Sequence, residues 1–279
     1  MSPPIDSPDR LITYLIANYD NADYVDDCLD SLVGQTVERW RAIVCDDAST
    51  DASVDRIRRH VGSRIRLIQN DSNVGYIRTL IRLIGEASTD VVGILDADDM
   101  LAPTATERVL ATYHAHPSAG LVYTNYTTFA DDGTEEPGTC RAIPPGRSAL
   151  TDGYVSHLKT FRVSAYAQTA GLDPALEYAE DRDLVYKLEE VSEVAFVDAP
   201  LYRYRVVPGS QSRDAHKARI GFAHHLEAQF AAIERRGTKG VAKAHLRAAF
   251  LAEYVRKSRA TPSLDAALAE TERTFRALT

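Results

Sequence analysis

Apolar positions follow two different periods along the first hundred residues. Residues 11–19 (LITYLIANY) form a short apolar run rich in β-formers, which is typical of a buried strand. Residues 21–35 then place apolar side chains at helical spacing, with Asp20 or Asn21 as the expected N-cap. The alternation continues, and it predicts strands at 11–19, 41–47, 64–70 and 91–96, with helices around 25–33, 54–61 and 77–84.

This alternation of strands and helices predicts βαβ units and a mainly parallel sheet. In such sheets, ligands bind beyond the carboxyl ends of the strands. Three of the predicted strands end in acids or amides, in the segments NYD (18–20), CDD (45–47) and LDADD (95–99). We therefore expect polar side chains from all three segments to gather at one edge of the sheet.

The pattern changes after residue 102. The remaining positions predict a helix at 103–114, a strand at 120–129, a turn at Asp132–Gly133, an irregular loop over 131–153, a helix at 177–191 and a strand pair or bent strand at 194–207. From Asp214 onward nearly everything is helical, with breaks near Gly237 and Pro262. We predict a disordered tail at 1–9, a main domain at 10–213 and a helical C-terminal region at 214–279.

Composition and charge narrow the class of protein. The chain has 279 residues and a net charge of -8, which argues against a nucleic-acid partner because such proteins need a basic surface. Cys28, Cys45 and Cys140 have no metal-type spacing. No apolar run reaches the ~20 residues of a membrane span, and no secretory signal is evident. These features predict a cytoplasmic protein that is at most peripheral to a membrane face.

Asp96, Asp98 and Asp99 place three carboxylates within four positions after the apolar run 91–95. A single Asp after a strand is commonly a turn or helix-cap residue, and Asp99 or Thr104 would serve the following helix in that way. Three together repel one another and need a counter-charge. Mg²⁺ and Mn²⁺ prefer carboxylate oxygens, and Mg²⁺ typically binds one or two carboxylates plus substrate phosphates. The cluster therefore predicts a divalent cation that is shared with a diphosphate.

Taken in order, the motifs resemble the family-two glycosyltransferases of the GT-A fold. Residues 16–53 resemble the opening of that family, which runs strand, P-x-Y-N, helix ending S-x-x-x-Q-T, strand and D-D-x-S-x-D. Residues 73–99 resemble its continuation into the D-x-D motif. The segments AEDRDLVYKLEEV (179–191) and APLYRYRVVPGSQS (199–212) resemble its acceptor half. The resemblance covers roughly residues 10–213.

The resemblance implies a GT-A fold, which is a Rossmann-like α/β fold of nucleotide-diphospho-sugar transferases. Its mixed, mainly parallel sheet would be flanked by helices, with the helical region 214–279 as an extension. Residues 10–102 would be the nucleotide-binding half and 103–213 the acceptor half. It further implies a metal-dependent transferase that moves a sugar from a nucleotide diphosphate sugar, UDP-sugar favoured, to an acceptor hydroxyl with inversion.

Residue roles follow from the same resemblance. Ala17 and Tyr19 would hold the nucleobase, Asp47 would accept its N–H, and Arg78 would lie near the nucleotide. Asp96 and Asp98 would contact the nucleotide sugar. Asp98 and Asp99 would be the candidates for contacts with the ribose and with Mn²⁺ or Mg²⁺, with Asp96 supporting them, and Asp181 would be the general base. These residues are Ala17, Tyr19, Asp47, Arg78, Asp96, Asp98, Asp99 and Asp181.

Each role has a structural alternative. Tyr19 could be a core aromatic, Asp47 a cap on the turn into the second helix, and Arg78 a solvated helix position beside an Arg82–Glu86 pair. Asp181 could belong to an acidic first turn that complements a helix dipole, together with Glu180 and Asp183.

The chain also departs from the pattern of the family. The motif P-x-Y-N reads Ala17-Asn18-Tyr19-Asp20, and the glycine pair expected before the ED helix reads Ala170-Gly171-Leu172. The first departure concerns base recognition and the second the acceptor, which could be a glycan, a lipid-linked sugar or a small metabolite. The C-terminal helices could mediate a homodimer.

Two other functions are compatible with parts of the sequence. A non-catalytic module that binds sugar nucleotides or glycans would not need Asp181. A nucleotidyltransferase would carry a Gly-rich, basic phosphate-binding loop early in the chain, and no such run is present.

Overall fold

The computed structural model describes residues 11–152, 154–207 and 215–259. These residues divide into two compact units. The first unit contains 11–152, 154–171 and 191–206, and the second contains 172–190, 207 and 215–259. The predicted nucleotide-binding half (10–102) and acceptor half (103–213) do not correspond to these two units, and that functional division stays a prediction. The predicted tail at 1–9 lies outside the described residues.

The first unit opens with the predicted alternation of strands and helices. Its elements to residue 101 are β1 (Ile12–Asn18), α1 (Val25–Val33), β2 (Trp40–Asp46), α2 (Ser53–His60), β3 (Ile65–Gln69), α3 (Tyr76–Glu86), β4 (Val91–Ile94) and β5 (Met100–Leu101). Both β1 and β4 are almost entirely buried, as their apolar runs predict. Strand β4 ends two residues before the predicted end at 96, and the chain turns there through a hydrogen bond from the Asp99 N–H to the Asp96 carbonyl.

The remaining elements complete one sheet and add the C-terminal helices. They are α4 (Ala105–Ala115), β6 (Ala119–Phe129), β7 (Glu135–Pro137), α5 (Ala149–Asp152), β8 (Lys159–Arg162), α6 (Val163–Tyr166), α7 (Glu180–Val191), β9 (Glu193–Arg205), α8 (Ala215–Arg235) and α9 (Gly240–Arg259). The predicted helix 177–191 begins later, at Glu180. Of the strand pair or bent strand predicted at 194–207, the structure has a single strand, whose pairing with β6 shifts in register. The break near Gly237 is confirmed, whereas Pro262 lies outside the described residues.

The sheet of the first unit runs in the order β3-β2-β1-β4-β8-β6-β9-β5, with β7 paired to β6. Strands β1 to β4 are parallel neighbours, as the alternation predicts. Strand β8 is antiparallel to both β4 and β6, and β5 is antiparallel to β9. The predicted irregular loop 131–153 was partly wrong, because it contains β7 and α5.

The core of the first unit lies between its sheet and the helices α1 and α4. Buried members include Tyr14, Cys28, Leu29 and Trp40, and Cys45 and Cys140 are buried as free thiols too. The expected N-cap of α1 is wrong, since Tyr24 holds that position and no side chain caps the helix. Among the described residues, no helix is long and apolar enough to cross a membrane.

Candidate active site

The carboxyl ends of β1, β2 and β4 lie side by side, because β1 pairs in parallel with both β2 and β4. The segments that follow these strands therefore meet at one edge of the sheet, as the sequence predicts. Residue 17 is at the end of β1, opposite Cys45 of β2, and it is half-buried. Ala17 thus lies at the edge that was predicted to receive the nucleotide.

The loops after β1 and β2 are joined by short polar side chains. Asn18 donates through Nδ2 to Asp46 Oδ1 at 2.8 Å, and the Asp46 carboxylate also accepts from the hydroxyl and N–H of Ser49. Asp20 Oδ1 accepts from the Thr50 N–H at 2.7 Å. The buried Asp46 is therefore a structural residue of these loops.

Tyr19 lies between Asn18 and Asp20, which both bond to the loop after β2. Tyr19 itself is 46% exposed. The alternative of a core aromatic is therefore wrong. An exposed ring at the carboxyl edge offers an apolar face on which a planar base can stack. This placement is compatible with the predicted contact to a nucleobase, which itself stays a prediction.

Asp47 fixes the segment that leads into α3. The carboxylate is buried and accepts hydrogen bonds from the N–H groups of Val74 (2.9 Å) and Gly75 (2.8 Å) and from Asn70 Nδ2 (2.6 Å). The alternative of a cap on α2 is wrong, since Ala52 holds that N-cap. Asp47 Oδ2 accepts only the bond from Gly75 within the described residues, so it has remaining capacity as an acceptor.

Gly75 has φ +89° and ψ 158° as the residue before α3. This conformation is nearly exclusive to glycine. It turns the Gly75 N–H toward Asp47 and starts α3 at Tyr76. The N-terminus of α3 is thereby tied to the carboxyl edge of β2.

Residues 95–99, here named the acidic loop, connect β4 to β5. Asp96 is partly exposed, and its Oδ1 accepts from the hydroxyl of Tyr76 at 2.8 Å. Its backbone N–H donates to the hydroxyl of Tyr202 at 3.2 Å. Asp96 is therefore held between α3 on one side and β9 on the other.

Asp99 is directed into the protein. Its Oδ1 accepts from the Arg205 N–H and its Oδ2 from the Tyr202 hydroxyl, both at 2.6 Å, and the residue is 1% exposed. Burial, followed by the charges of Asp96 and Asp98, raises the pKa of Asp99 well above its usual value. The alternative that Asp99 caps the following helix is wrong, because Thr104 holds the N-cap position of α4, where its side chain accepts no hydrogen bond from the helix.

Asp98 differs from its neighbour Asp99. In the described part of the first unit, no side chain of another residue donates a hydrogen bond to the Asp98 carboxylate. Burial and the charge of Asp96 raise the pKa of Asp98 to about 6, while Arg205 acts in the opposite direction. An ionised Asp98 therefore carries an incompletely compensated negative charge, which is the environment that a cation stabilises.

Arg205 is the resident counter-charge of this region. Its side chain is 8% exposed and donates from Nε to the Asp98 carbonyl at 2.9 Å, from Nη2 to Asp27 at 2.6 Å and from Nη1 to Asp131 at 3.2 Å. One guanidinium therefore faces the acidic loop and two further carboxylates. In the described part of the chain, no three His, Cys, Asp or Glu side chains are grouped to hold a metal.

Arg78 is exposed in the first turn of α3, close in sequence to Gly75 and Tyr76. The alternative also expects an ion pair between Arg82 and Glu86, and this expectation is wrong. Arg82 donates to the Gln69 carbonyl at 2.8 Å, and Glu86 pairs with Arg66 at 2.7 Å. Arg78 is thus a solvated position on α3, as the alternative expects, and its role near the nucleotide stays a prediction.

Asp181 lies in the first turn of α7, in the second unit, and is partly exposed. Its neighbour Asp183 is buried and pairs with Lys187 at 2.5 Å and with Arg235 at 3.3 Å. Asp183 is therefore a structural residue that ties α7 to α8. Asp181 remains the candidate base, and this role stays a prediction.

Comparison with known proteins identifies the family. The family model for glycosyl transferase family 2 matches residues 13–169, more than half of the chain of 279 residues. The chain belongs to glycosyl transferase family 2. This assignment confirms the resemblance that the motifs predict and covers β1 to β4 together with the acidic loop.

The curated proteins that this chain is similar to include much longer ones. A chondroitin synthase of Pasteurella multocida (strain Pm70) is 28% identical over 72% of this chain, and the match covers 21% of that protein. An O-antigen biosynthesis protein of Myxococcus xanthus is 31% identical over 65% of this chain and 15% of that protein. The chain thus spans about a fifth or less of the length of these curated relatives.

Solved structures support the fold assignment. S. aureus TarS in complex with UDP aligns with a TM-score of 0.66 and 17% identity, covering 86% of this chain and 70% of that one. The mannosyltransferase PcManGT from Pyrobaculum calidifontis, in complex with GDP-Man and Mn²⁺, aligns with a TM-score of 0.60 and 20% identity, covering 98% and 82%. The GT-A fold of this family 2 chain is thereby confirmed.

Sequence reasoning missed two residues of the site of this family 2 chain and the contact that a third, Arg205, makes with Asp99. Tyr76 contacts Asp96, while Tyr202 and the backbone of Arg205 contact Asp99. Tyr76 had a local signal, since it opens a helix directly after a glycine at the carboxyl edge. Tyrosine and arginine alternate in the segment LYRYR (201–205), but nothing in that pattern indicates the partners of Tyr202 and Arg205.

Proposed function

We propose that this chain transfers a sugar from a nucleoside diphosphate sugar to an acceptor hydroxyl. The observation that carries the proposal is the meeting of three parallel strand ends, which brings the exposed Tyr19, the buried Asp47 and the acidic loop to one edge. Membership of glycosyl transferase family 2 supports the reaction class. UDP-sugar is the favoured donor, and the UDP complex of TarS supports it, while the GDP-Man complex of PcManGT makes GDP the main competitor.

In this proposal the nucleotide lies along the carboxyl edge. Ala17 leaves room above the end of β1, Tyr19 stacks on the base, and Asp47 Oδ2 accepts a base N–H beside its bond from Gly75. Arg78 supplies positive charge from the first turn of α3. Asp96 accepts from the ribose. These assignments explain why polar residues cluster where the strands end.

Asp98 is the proposed ligand of Mn²⁺ or Mg²⁺. The chemistry of its carboxylate fits a hard cation. Burial, followed by the charge of Asp96, raises its pKa, so a nearby cation would favour the ionised form. Asp99 is less suited than the sequence predicts, because both of its oxygens already accept protein hydrogen bonds at 1% exposure. We therefore narrow the metal prediction to Asp98. When bound, the cation would neutralise charge that develops on the leaving diphosphate.

The proposed chemistry is a direct displacement with inversion. The acceptor oxygen forms a bond to the anomeric carbon while the bond from that carbon to the diphosphate oxygen breaks. The proton of the acceptor hydroxyl passes to a carboxylate, for which Asp181 is the candidate, and such a base typically contributes ~10²–10⁴-fold to the rate. The Tyr202 and Arg205 contacts hold the acidic loop in place during this change of charge.

The acceptor is a hydroxyl of a glycan, a lipid-linked sugar or a small metabolite. The chondroitin synthase and the O-antigen biosynthesis protein to which the chain is similar support a glycan. A cytoplasmic location, peripheral contact with a membrane face and a homodimer through α8 and α9 belong to the same proposal as untested predictions.

A thermal-shift panel tests the proposal. UDP, GDP, dTDP and CDP sugars are each added with Mn²⁺ and, in parallel, with EDTA, since a ligand that binds the native state raises its midpoint. We expect a UDP-sugar to give the largest shift, and the shift to need Mn²⁺. Slow release of free sugar from that donor would support a transferase. Release of pyrophosphate from UTP would instead indicate a nucleotidyltransferase, and binding without turnover a non-catalytic module.

A further inference from the structure

The three residues before and at the start of α3 contact both carboxylates that we assign to the nucleotide. Asp47 accepts from the N–H groups of Val74 and Gly75 at 2.9 and 2.8 Å. The next residue, Tyr76, donates its hydroxyl to Asp96 Oδ1 at 2.8 Å. A single turn of chain therefore links the proposed base contact to the proposed ribose contact.

We propose that Tyr76 is a positioning residue for ribose recognition. Its hydroxyl fixes the Asp96 carboxylate in the orientation that accepts a ribose hydroxyl of the nucleotide. This inference rests on the proposed function, because it takes the ligand to be a nucleoside diphosphate. No motif of the sequence assigned a role to Tyr76.

Among the described residues, the shortest side-chain hydrogen bond to Asp96 comes from Tyr76. The Tyr202 hydroxyl lies 3.3 Å from Asp96 Oδ2 but only 2.6 Å from Asp99 Oδ2. A tyrosine hydroxyl has one proton, and the shorter contact takes it. Tyr202 therefore donates to Asp99, and Tyr76 is the side chain that orients Asp96.

The position of Tyr76 favours a role in binding over a role in stability. The residue is 39% exposed although its hydroxyl is bonded to Asp96. An exposed hydrogen bond contributes little net stability, because water replaces it in the unfolded chain. Its effect on a carboxylate at the ligand edge is different, since a preoriented acceptor loses less freedom when the ligand binds.

The geometry also keeps Tyr76 in place. Gly75 adopts φ +89°, and its N–H is held by Asp47, so the first residue of α3 is fixed by a buried anchor. Asp96 Oδ1 keeps a second lone pair beside the Tyr76 bond, and a ribose hydroxyl can donate to it. Tyr76 and the ribose would thus share one oxygen without excluding each other.

The test compares ribose and deoxyribose nucleotides. Dissociation constants of UDP, 2′-deoxy-UDP and 3′-deoxy-UDP are measured by titration calorimetry with Mn²⁺ for the wild-type chain, Tyr76→Phe and Asp96→Asn. GDP and its deoxy forms replace them if GDP binds more tightly. We expect the wild type to bind at least one deoxy form about tenfold more weakly than the ribose form. In Tyr76→Phe this ratio should fall to about two, with the deoxy affinity nearly unchanged and the melting temperature within about one degree.

The outcomes separate the inference from the proposed function. Equal weakening of ribose and deoxyribose forms in Tyr76→Phe would overturn the inference, because it would indicate a general effect on the pocket. An unchanged affinity of Tyr76→Phe for the ribose nucleotide would overturn the inference as well. A higher affinity would also overturn it, because it would show that the Tyr76 hydroxyl competes with the ribose for Asp96. A wild-type chain that binds no nucleoside diphosphate would contradict the proposed function itself.

Discussion

The Tyr202 hydroxyl and the Asp99 carboxylate are 103 positions apart in the sequence and 2.6 Å apart in the structure. Both residues are buried, and the contact joins β9 to the acidic loop. Burial and the charges of Asp96 and Asp99 raise the pKa of Tyr202 well above its usual value, so the tyrosine stays neutral and donates. The contact therefore fixes the loop that holds Asp96 and Asp98.

Removing this donor should destabilise the fold more than removing a buried hydroxyl with a neutral partner. We expect Tyr202→Phe to lower the free energy of unfolding by ~1.5–3 kcal/mol, because a buried carboxylate loses its donor. Tyr14→Phe is the matched control, since its equally buried hydroxyl contacts the Thr106 hydroxyl at 3.0 Å, and it should cost ~0.5–1.5 kcal/mol. Urea unfolding measures both, and equal losses would show that the charge of Asp99 is unimportant.

Asp98 and Asp99 should respond in opposite ways to the same replacement. Asp99→Asn places an amide N–H₂ against the donors of Tyr202 and Arg205, so we expect a loss of ~1–3 kcal/mol. Asp98→Asn removes a charge that burial disfavours, so its melting temperature should be equal to or above that of the wild type at pH 7.5. The Mn²⁺-dependent part of the UDP-induced thermal shift should disappear in Asp98→Asn. Retention of that shift would remove Asp98 from the metal site.

The backbone at Gly75 offers a second matched pair. Gly75→Ala should cost ~1–3 kcal/mol, because alanine is strained at φ +89° even though open space surrounds the position. Gly85, inside α3, also has open space for a Cβ, and Gly85→Ala should gain ~0.5–1 kcal/mol. Only Gly75→Ala should weaken UDP binding, since it displaces the N–H that Asp47 holds. Equal stability of the two variants would show that Gly75 is not under conformational constraint.

The second unit contains a partly buried histidine that should make stability depend on pH. His225 Nε2 and the Tyr186 hydroxyl are 2.8 Å apart, and burial lowers the pKa of His225 to about 4 from its usual 6.5. Arg182 and Lys257 act in the same direction, whereas Asp181 and Glu253 oppose them. The unfolded chain therefore binds more protons between pH 4 and 6.5, and stability falls as the pH falls through that window.

His225→Gln isolates this contribution, because glutamine keeps an acceptor for Tyr186 without titrating. The stability of the wild type relative to His225→Gln should be constant above pH 7 and decline by on the order of 3 kcal/mol down to pH 4. Urea unfolding at a series of pH values measures the difference, which removes the titration of other groups. A difference that does not change with pH would contradict a His225 that stays neutral in the folded chain.

The parts of this structure that could be predicted from the sequence are those with local signals. The periods of apolar residues predict β1 to β4 and α1 to α3, and parallel strands oblige their polar ends, including Asp47 and the acidic loop, to share an edge. The short strands β5, β7 and β8 have two to four residues and no period of their own. They form only because a longer neighbour pairs with them.

The orientation of individual acids could not be predicted, because the contacts that decide it are distant in sequence. Asp98 and Asp99 are identical side chains at adjacent positions, and the sequence assigns both to the metal. Their difference comes from the turn that ends at Asp99 and from β9, which brings Tyr202 and Arg205 to only one of them. The residue types were enough to identify the acidic cluster, but the tertiary contacts decide which of its carboxylates is available to a metal.

Asp181 is the residue on which the proposed reaction depends most directly. Asp181→Asn keeps the size of the side chain and removes its ability to take a proton, so we expect turnover to fall at least ~10²-fold while donor binding stays nearly unchanged. Glu177→Gln is the control, since Glu177 is an exposed acid close in sequence and should retain full turnover. Asp183→Asn is a contrast, because it removes the buried partner of Lys187 and Arg235 and should lower stability as well as turnover. Turnover, donor affinity by calorimetry and melting temperature are measured for all three. An Asp181→Asn variant with wild-type turnover would exclude Asp181 as the base, and one that loses donor binding in parallel with turnover would indicate a structural role.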